Sequence, residues 1–256
     1  MINFFRKKRK KLADDNKALK YMRYAIGEIV LVVIGILIAL QINNNYEIRK
    51  AREKELHYLY NIKSDLQLNI NEMQDYIDIR TLRIASANNV IAHFEGKPLE
   101  DLDQFNWDIV NIYTWRKFYQ INNTFQELTN SGNLALISND SIKNTLLNIE
   151  SLYKKLKYEE EHFRYDAEIM LYEPSYKVLD LSPIVKKFTY QVTKGEAGED
   201  VDLPKANFEL MLKDLNQKNG FVMATYEFSF MNRQLEEMKS KCNDLIKFID
   251  KELKKG

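Results

Sequence analysis

The stretch AIGEIVLVVIGILIALQI, Ala25–Ile42, decides how this sequence is read. Eighteen helical residues at ~1.5 Å rise cover roughly 27 Å, close to the ~30 Å hydrocarbon core of a bilayer. Its Ile, Leu and Val residues each favour insertion by ~0.3–0.6 kcal/mol, several kcal/mol in sum. Glu28 opposes insertion. It lies one turn from the start, where the cost falls below the ~2.5–3.5 kcal/mol of a charge at mid-membrane. Tyr21 and Tyr24 on one side and Tyr46 on the other stand where interfacial aromatics belong. Ala39-Leu40-Gln41 makes a poor signal-peptidase site. The stretch is therefore expected to be an uncleaved anchor, a single transmembrane helix over 25–42, rather than a signal h-region or a buried core helix.

The flanks give the orientation. Residues 1–23 carry Arg6, Lys7, Lys8, Arg9, Lys10, Lys11, Lys17, Lys20 and Arg23 against only Asp14 and Asp15. Beyond the span, Arg49, Lys50, Arg52 and Lys54 alternate with Glu47, Glu53 and Glu55. The positive-inside rule places a basic tail, 1–24, in the cytoplasm and the region 43–256 outside. Arg6, Lys7, Lys8, Arg9, Lys10 and Lys11 are candidates for contact with anionic lipid, beside Phe4 and Phe5, at ~1 kcal/mol per basic residue near the surface. The net charge of the whole chain is only +1, without the basic excess of a nucleic-acid binder, so no nucleic-acid partner is expected.

Within the span, Glu28, Gly35 and Ala39 share one helix face. Gly35-x-x-x-Ala39 is a small-xxx-small pattern that lets two helix backbones approach closely. These three residues are the candidate transmembrane helix–helix interface, with a second copy or a membrane or envelope protein as the expected partner.

Gly27–Asn44, GEIVLVVIGILIALQINN, preceded by INFFRKKRKKL and YMRYAI, resembles a family of uncharacterised single-span proteins common in Bacteroidota. Its members begin with a Phe-Phe-Arg-Lys-type basic head and run through a GEI…GILIALQINNW-like segment. Thr124–Leu146, TFQELTNSGNLALISNDSIKNTL, resembles the family as well. Asn45 departs from the pattern, where the family has Trp. The resemblance implies a single span and a place in the cell envelope; together with the orientation read from charge, the expected location is the bacterial inner membrane with the C-terminal region periplasmic. The resemblance implies no activity.

The rest of the chain reads as helix. Only 8 Gly and 4 Pro in 256 residues force few turns, and a single cysteine, Cys242, rules out an internal disulfide framework. A stripe of Leu56, Leu59, Ile62, Leu66, Ile70, Met73, Ile77, Ile84, Val90, Ile91 and Phe94 predicts one helix over about 46–94, a stalk stopped by Gly96-Lys97-Pro98. Helices are also expected over about 100–130 and 141–172, the latter striped by Ile142, Leu146, Ile149, Tyr153, Leu156, Phe163 and Met170 and stopped at Glu173-Pro174. A last helical region covers about 206–253, broken at Asn219-Gly220. Residues 174–205, with three prolines, two glycines and a strand-like run Phe188–Thr193, are expected to form an irregular loop bearing an acidic patch. The fold class is all-α: a transmembrane helix continuing into a stalk helix and an antiparallel, four-helix-like extramembrane bundle.

Trp107, Tyr113, Trp115 and Tyr119 are the candidate pocket, or else distal core. Glu159-x-x-His162 matches half of a carboxylate di-iron signature, but His57 and His93 lack the Glu that would complete it. There is no phosphate loop, zincin motif or nucleophile elbow. No catalysis, cofactor or metal is therefore expected. The function read from the sequence is a membrane-anchored interaction or assembly component, with a small-molecule or stress sensor acting through a membrane partner as the alternative. A filled bundle core favours the first. Carboxylates gathered around His162 favour chemistry.

Overall fold

In the computed structural model, which describes Lys7 and residues 18–255, every regular element is helical. The first is α1, Ala18–Phe94. It contains no proline, and its C-terminus is closed by Gly96 at φ 105°, with Lys97 N–H donating to Ala92 and Gly96 N–H to His93. This paired bonding satisfies the last carbonyls of the helix through a residue that tolerates the left-handed conformation.

The chain divides into two compact units, Met1–His57 and Tyr58–Gly256. In the first, every side chain from Ile29 to Lys50 is exposed. The second is the bundle. Beside α1 it contains α2 (Leu102–Tyr113), α3 (Asn123–Asn130), α4 (Asp140–Ala167), α5 (Glu173–Val178), α6 (Leu181–Val192), α7 (Lys205–Met211) and α8 (Leu215–Leu253).

The second layer, α2 to α3, runs antiparallel to the 58–94 part of α1. Asn111 donates to Ser86 (3.0 Å), Tyr76 to the Lys117 carbonyl (2.7 Å), Ile121 N–H to Asn69 (2.7 Å), and Tyr58 to Glu127 (3.0 Å). The layer is helical only at its ends. Between the Arg80–Arg116 and Asn69–Ile121 contacts, eleven helical residues of α1 face five of the connector. At ~1.5 Å per helical and ~3.3 Å per extended residue, both cover about 16 Å, so the connector must run extended to keep register. α4 then runs parallel to α1, and α8 antiparallel to both, as Lys63–Asp250, Ile77–Asn232 and Phe163–Phe228 show.

Helix starts follow side-chain caps. Asp101, Asn139, Asp180 and Asp214 each accept from backbone N–H groups of the first turn. Leu59, Ile62, Leu66, Met73 and Ile77 of α1 meet Ile142, Leu146, Ile149, Leu156 and Phe163 of α4 and Leu235, Met238, Leu245 and Ile249 of α8 in one core. Cys242 belongs to it at 1% exposure, and burial pushes its thiol up to about 12.

Three expectations need correction. Residues 174–205 are not one irregular loop. Pro174 opens α5 instead of ending a helix, because a π-turn, Glu168–Tyr172, precedes it and loosens the hydrogen-bond ladder that proline interrupts. Phe188–Thr193 is not strand. Residues through Val192 form the end of α6, whose Phe188 packs on Trp107 of α2, so tertiary burial overrides the β propensity of Phe, Thr, Tyr and Val. The acidic patch is partly neutralised by Lys186–Glu199 (2.9 Å) and Lys187–Asp200 (2.5 Å). Lastly, the break before α8 falls at Leu212–Asp214, not at Asn219-Gly220. Gly220 stays helical because Leu171 occupies the space of a side chain: a Cβ there would lie 2.6 Å from Leu171 Cδ2.

Candidate functional site

The α1 stripe passes from Ile77 to Ile84 and the α4 stripe from Leu156 to Phe163, each skipping one inward position. Arg80 and Glu160 fill those positions, at 1% and 0% exposure, and form an ion pair with each other. Glu160 also accepts from Phe118 N–H (2.9 Å), and Arg83 donates to the carbonyls of Asn111 and Thr114 (2.9 Å each). Together these groups hold the extended connector, whose backbone has no helical partners of its own. Burial pulls the Arg80 pKa down and pushes that of Glu160 up, and their contact opposes both shifts. Arg83 is drawn down to about 10, first by burial and then by Arg80 and Arg116. Nε and Nη1 of Arg80 and Oε2 of Glu160 have no hydrogen-bond partner among the described residues, a situation that ordered water commonly relieves. Neither residue was singled out from the sequence, although the seven-residue gaps Ile77–Ile84 and Leu156–Phe163 in the stripes were the available signal.

The four candidate aromatics do not form one cluster. Trp107 is half-buried against Phe188. Tyr113 packs on Tyr172 and Phe221, and Trp115 on Phe163 and Phe228. Tyr113 and Trp115 are tied together through Tyr172, which accepts from Trp115 Nε1 (2.9 Å) and donates to the Tyr113 carbonyl (3.2 Å). Tyr113 bonds Ser175 (2.5 Å), which in turn donates to Gln217 (3.1 Å), so the network joins α2, α5 and α8. Burial pushes the Tyr113 and Tyr172 phenols up, so both serve as neutral hydrogen-bonding groups at ordinary pH. Tyr119 is 63% exposed and stands apart. A cavity of 160 Å³ does occur at the far end of α1, lined by residues that include Asn89, His93, Asp101, Gln104 and Asp108 but none of these four aromatics.

His162 has company that the sequence did not reveal. Asp166, one turn on, lies 3.7 Å from its Nδ1, and Glu227 of α8 lies at the same distance. Burial raises the Glu227 pKa, His162 lowers it, and Glu159 and Asp166 raise it further.

In the apolar stretch, Glu28 is half-buried, and a Cβ placed on Gly35 would meet nothing within 4 Å. Ala39 is exposed on α1, and Lys7, before that helix, is exposed too. Arg6, Lys8, Arg9, Lys10 and Lys11 lie outside the described residues.

The model of a family of unknown function, DUF6090, matches residues 28–188. The chain belongs to that family. The DUF6090 match takes in most of the apolar stretch, α2 to α5 and most of α6, including both members of the Arg80–Glu160 pair and His162 with Asp166. Glu227 lies beyond it. No curated protein and no solved structure matches the chain.

Proposed function

We propose that this DUF6090 protein is a membrane-anchored assembly component of the bacterial cell envelope. Residues 1–24 are its cytoplasmic tail, 25–42 its single span, and the bundle its periplasmic part. The observation that carries the reading is the exposure of twelve large apolar side chains between Ile26 and Ile42. Burying each is worth ~1.5–3 kcal/mol, on the order of 20 kcal/mol in all, which no contact among the described residues recovers. One helix near the N-terminus is long and apolar enough to cross a membrane, and lipid is the solvent that stabilises it. The basic head and the charge difference across the span support the orientation. The Bacteroidota-type GEI…GILIALQINN sequence supports the envelope location.

The bundle supports assembly over ligand sensing. Tyr113 and Trp115, partly buried between its helices, are engaged by side chains of the chain itself. The face bearing Glu28, Gly35 and Ala39 supports association of spans, either with a second copy or with a membrane partner. No catalytic step is assigned to it.

The test is the mass and composition of the full-length protein extracted from its native membrane in mild detergent. A homogeneous oligomer, or a stoichiometric second chain, is expected. A monodisperse monomer free of other chains contradicts the assembly role.

A further inference from the structure

His162 and Asp166 are spaced four apart on α4 and so share a face, and antiparallel α8 brings Glu227 to that face across the helix pair. The ring nitrogen and the two carboxylate oxygens all lie within 4.8 Å of one another. Ligand atoms held at ~2.0–2.2 Å from one ion stand about 3–3.5 Å apart, so side-chain rotations on the order of 1 Å would bring these three onto a common centre.

Glu227 makes the case more than proximity. Its residue is only 4% exposed, yet it accepts no hydrogen bond from any described residue, and His162 Nδ1 at 3.7 Å is beyond hydrogen-bonding distance. The charged groups that act on it are His162, Glu159 and Asp166, without a lysine or arginine among them. Buried carboxylates ordinarily have hydrogen bonds, a cationic side chain or a metal. Here a carboxylate without a hydrogen bond, whose one cationic neighbour is the His162 imidazole when protonated, also faces a second carboxylate.

We propose that His162, Asp166 and Glu227 bind one divalent transition-metal ion of the zinc class, bridging α4 and α8. The imidazole ligand selects zinc, iron, nickel or copper over magnesium and calcium, which prefer all-oxygen sets. Two carboxylates balance the charge of the ion. His162, 49% exposed at its side chain, leaves the site open to entry from solvent and to water as a further ligand. Glu159, one turn before His162 and half-buried, is placed to orient the imidazole or a bound water.

The experiment is calorimetric titration of zinc into the tag-free full-length chain, stripped with chelator and held in detergent micelles. One ion per chain is expected, with a Kd at or below micromolar. His162→Ala and Glu227→Gln should each weaken binding at least thirtyfold, and His93→Ala should leave it unchanged. Zinc, but not magnesium at the same concentration, should raise the melting temperature of the wild type and not that of His162→Ala. If Glu227→Gln fails to fold, Asp166→Asn supplies the second variant. Absence of saturable binding overturns the proposal. So does binding that survives in His162→Ala, or that is lost in His93→Ala instead; either would mean that the three groups form only an ion triad around a protonated imidazole.

Discussion

The apolar stretch of α1 and the bundle are both helical, and they hold their residues to opposite rules. From Ile29 to Lys50 no side chain is buried. In the bundle, Leu59, Met73, Ile142, Phe163 and Leu235 are almost wholly enclosed, and even an arginine and a glutamate are taken inside. In the first region the apolar residues are judged by their own transfer energy, because among the described residues no other part of the chain encloses them. In the second, the worth of a residue depends on a partner far along the sequence. The difference shows what each part can tolerate: the stretch is sensitive above all to polarity, with shape counting where Gly35 and Ala39 would face another span, and the bundle is sensitive to both.

The largest effect expected from this contrast is at the buried pair. Glu160→Leu leaves Arg80 charged and uncompensated, and unfolding followed by tryptophan fluorescence should show a loss of about 3–5 kcal/mol. The double variant Arg80→Met, Glu160→Leu should recover most of that loss. If the two single changes simply add, the pair is not the unit described here.

Next is Ile34→Arg, at the middle of the stretch, where the side chain is 47% exposed. The change should leave bundle stability as it is and cost membrane integration ~2.5–3.5 kcal/mol, seen as a larger share of protein released by alkaline extraction. A loss of bundle stability without release would erase the distinction between the regions.

Smaller still is Gly220→Ala. The new methyl would lie 2.6 Å from Leu171 Cδ2 and 2.8 Å from its Cγ, so overpacking should cost about 1–3 kcal/mol, against the usual gain of removing glycine from a helix. Gly35→Ala, with nothing within 4 Å, should not change folding stability measurably. Comparing the two melting curves shows directly which glycine a neighbour requires.

Much of the helical framework was legible because apolar spacing is a local property. The stripes from Leu59 to Ile77 and from Ile142 to Phe163 are the buried faces of α1 and α4, and Asn139 caps α4 close to the start expected at about 141. Signals that tertiary contacts can override were misread. Pro174 passes for a helix stop until the π-turn before it is seen, and Asn219-Gly220 for a break until Leu171 is seen to fill the space beside Gly220. The polar contacts were hidden for a further reason. Arg80 and Glu160 are eighty residues apart, and Glu227 reaches His162 from another helix, so neither pairing leaves a motif. The gaps at positions 80 and 160 of the stripes were what pointed to buried polar residues.

The most direct test of the account is protease added to the outside of intact spheroplasts. Digestion of the bundle is expected, with a short N-terminal fragment carrying the basic head and the 25–42 span left protected in the membrane. Full protection of the C-terminal region, with loss of the head only after the membrane is opened, would reverse the orientation. Release of an intact chain into the soluble fraction would contradict the anchor itself.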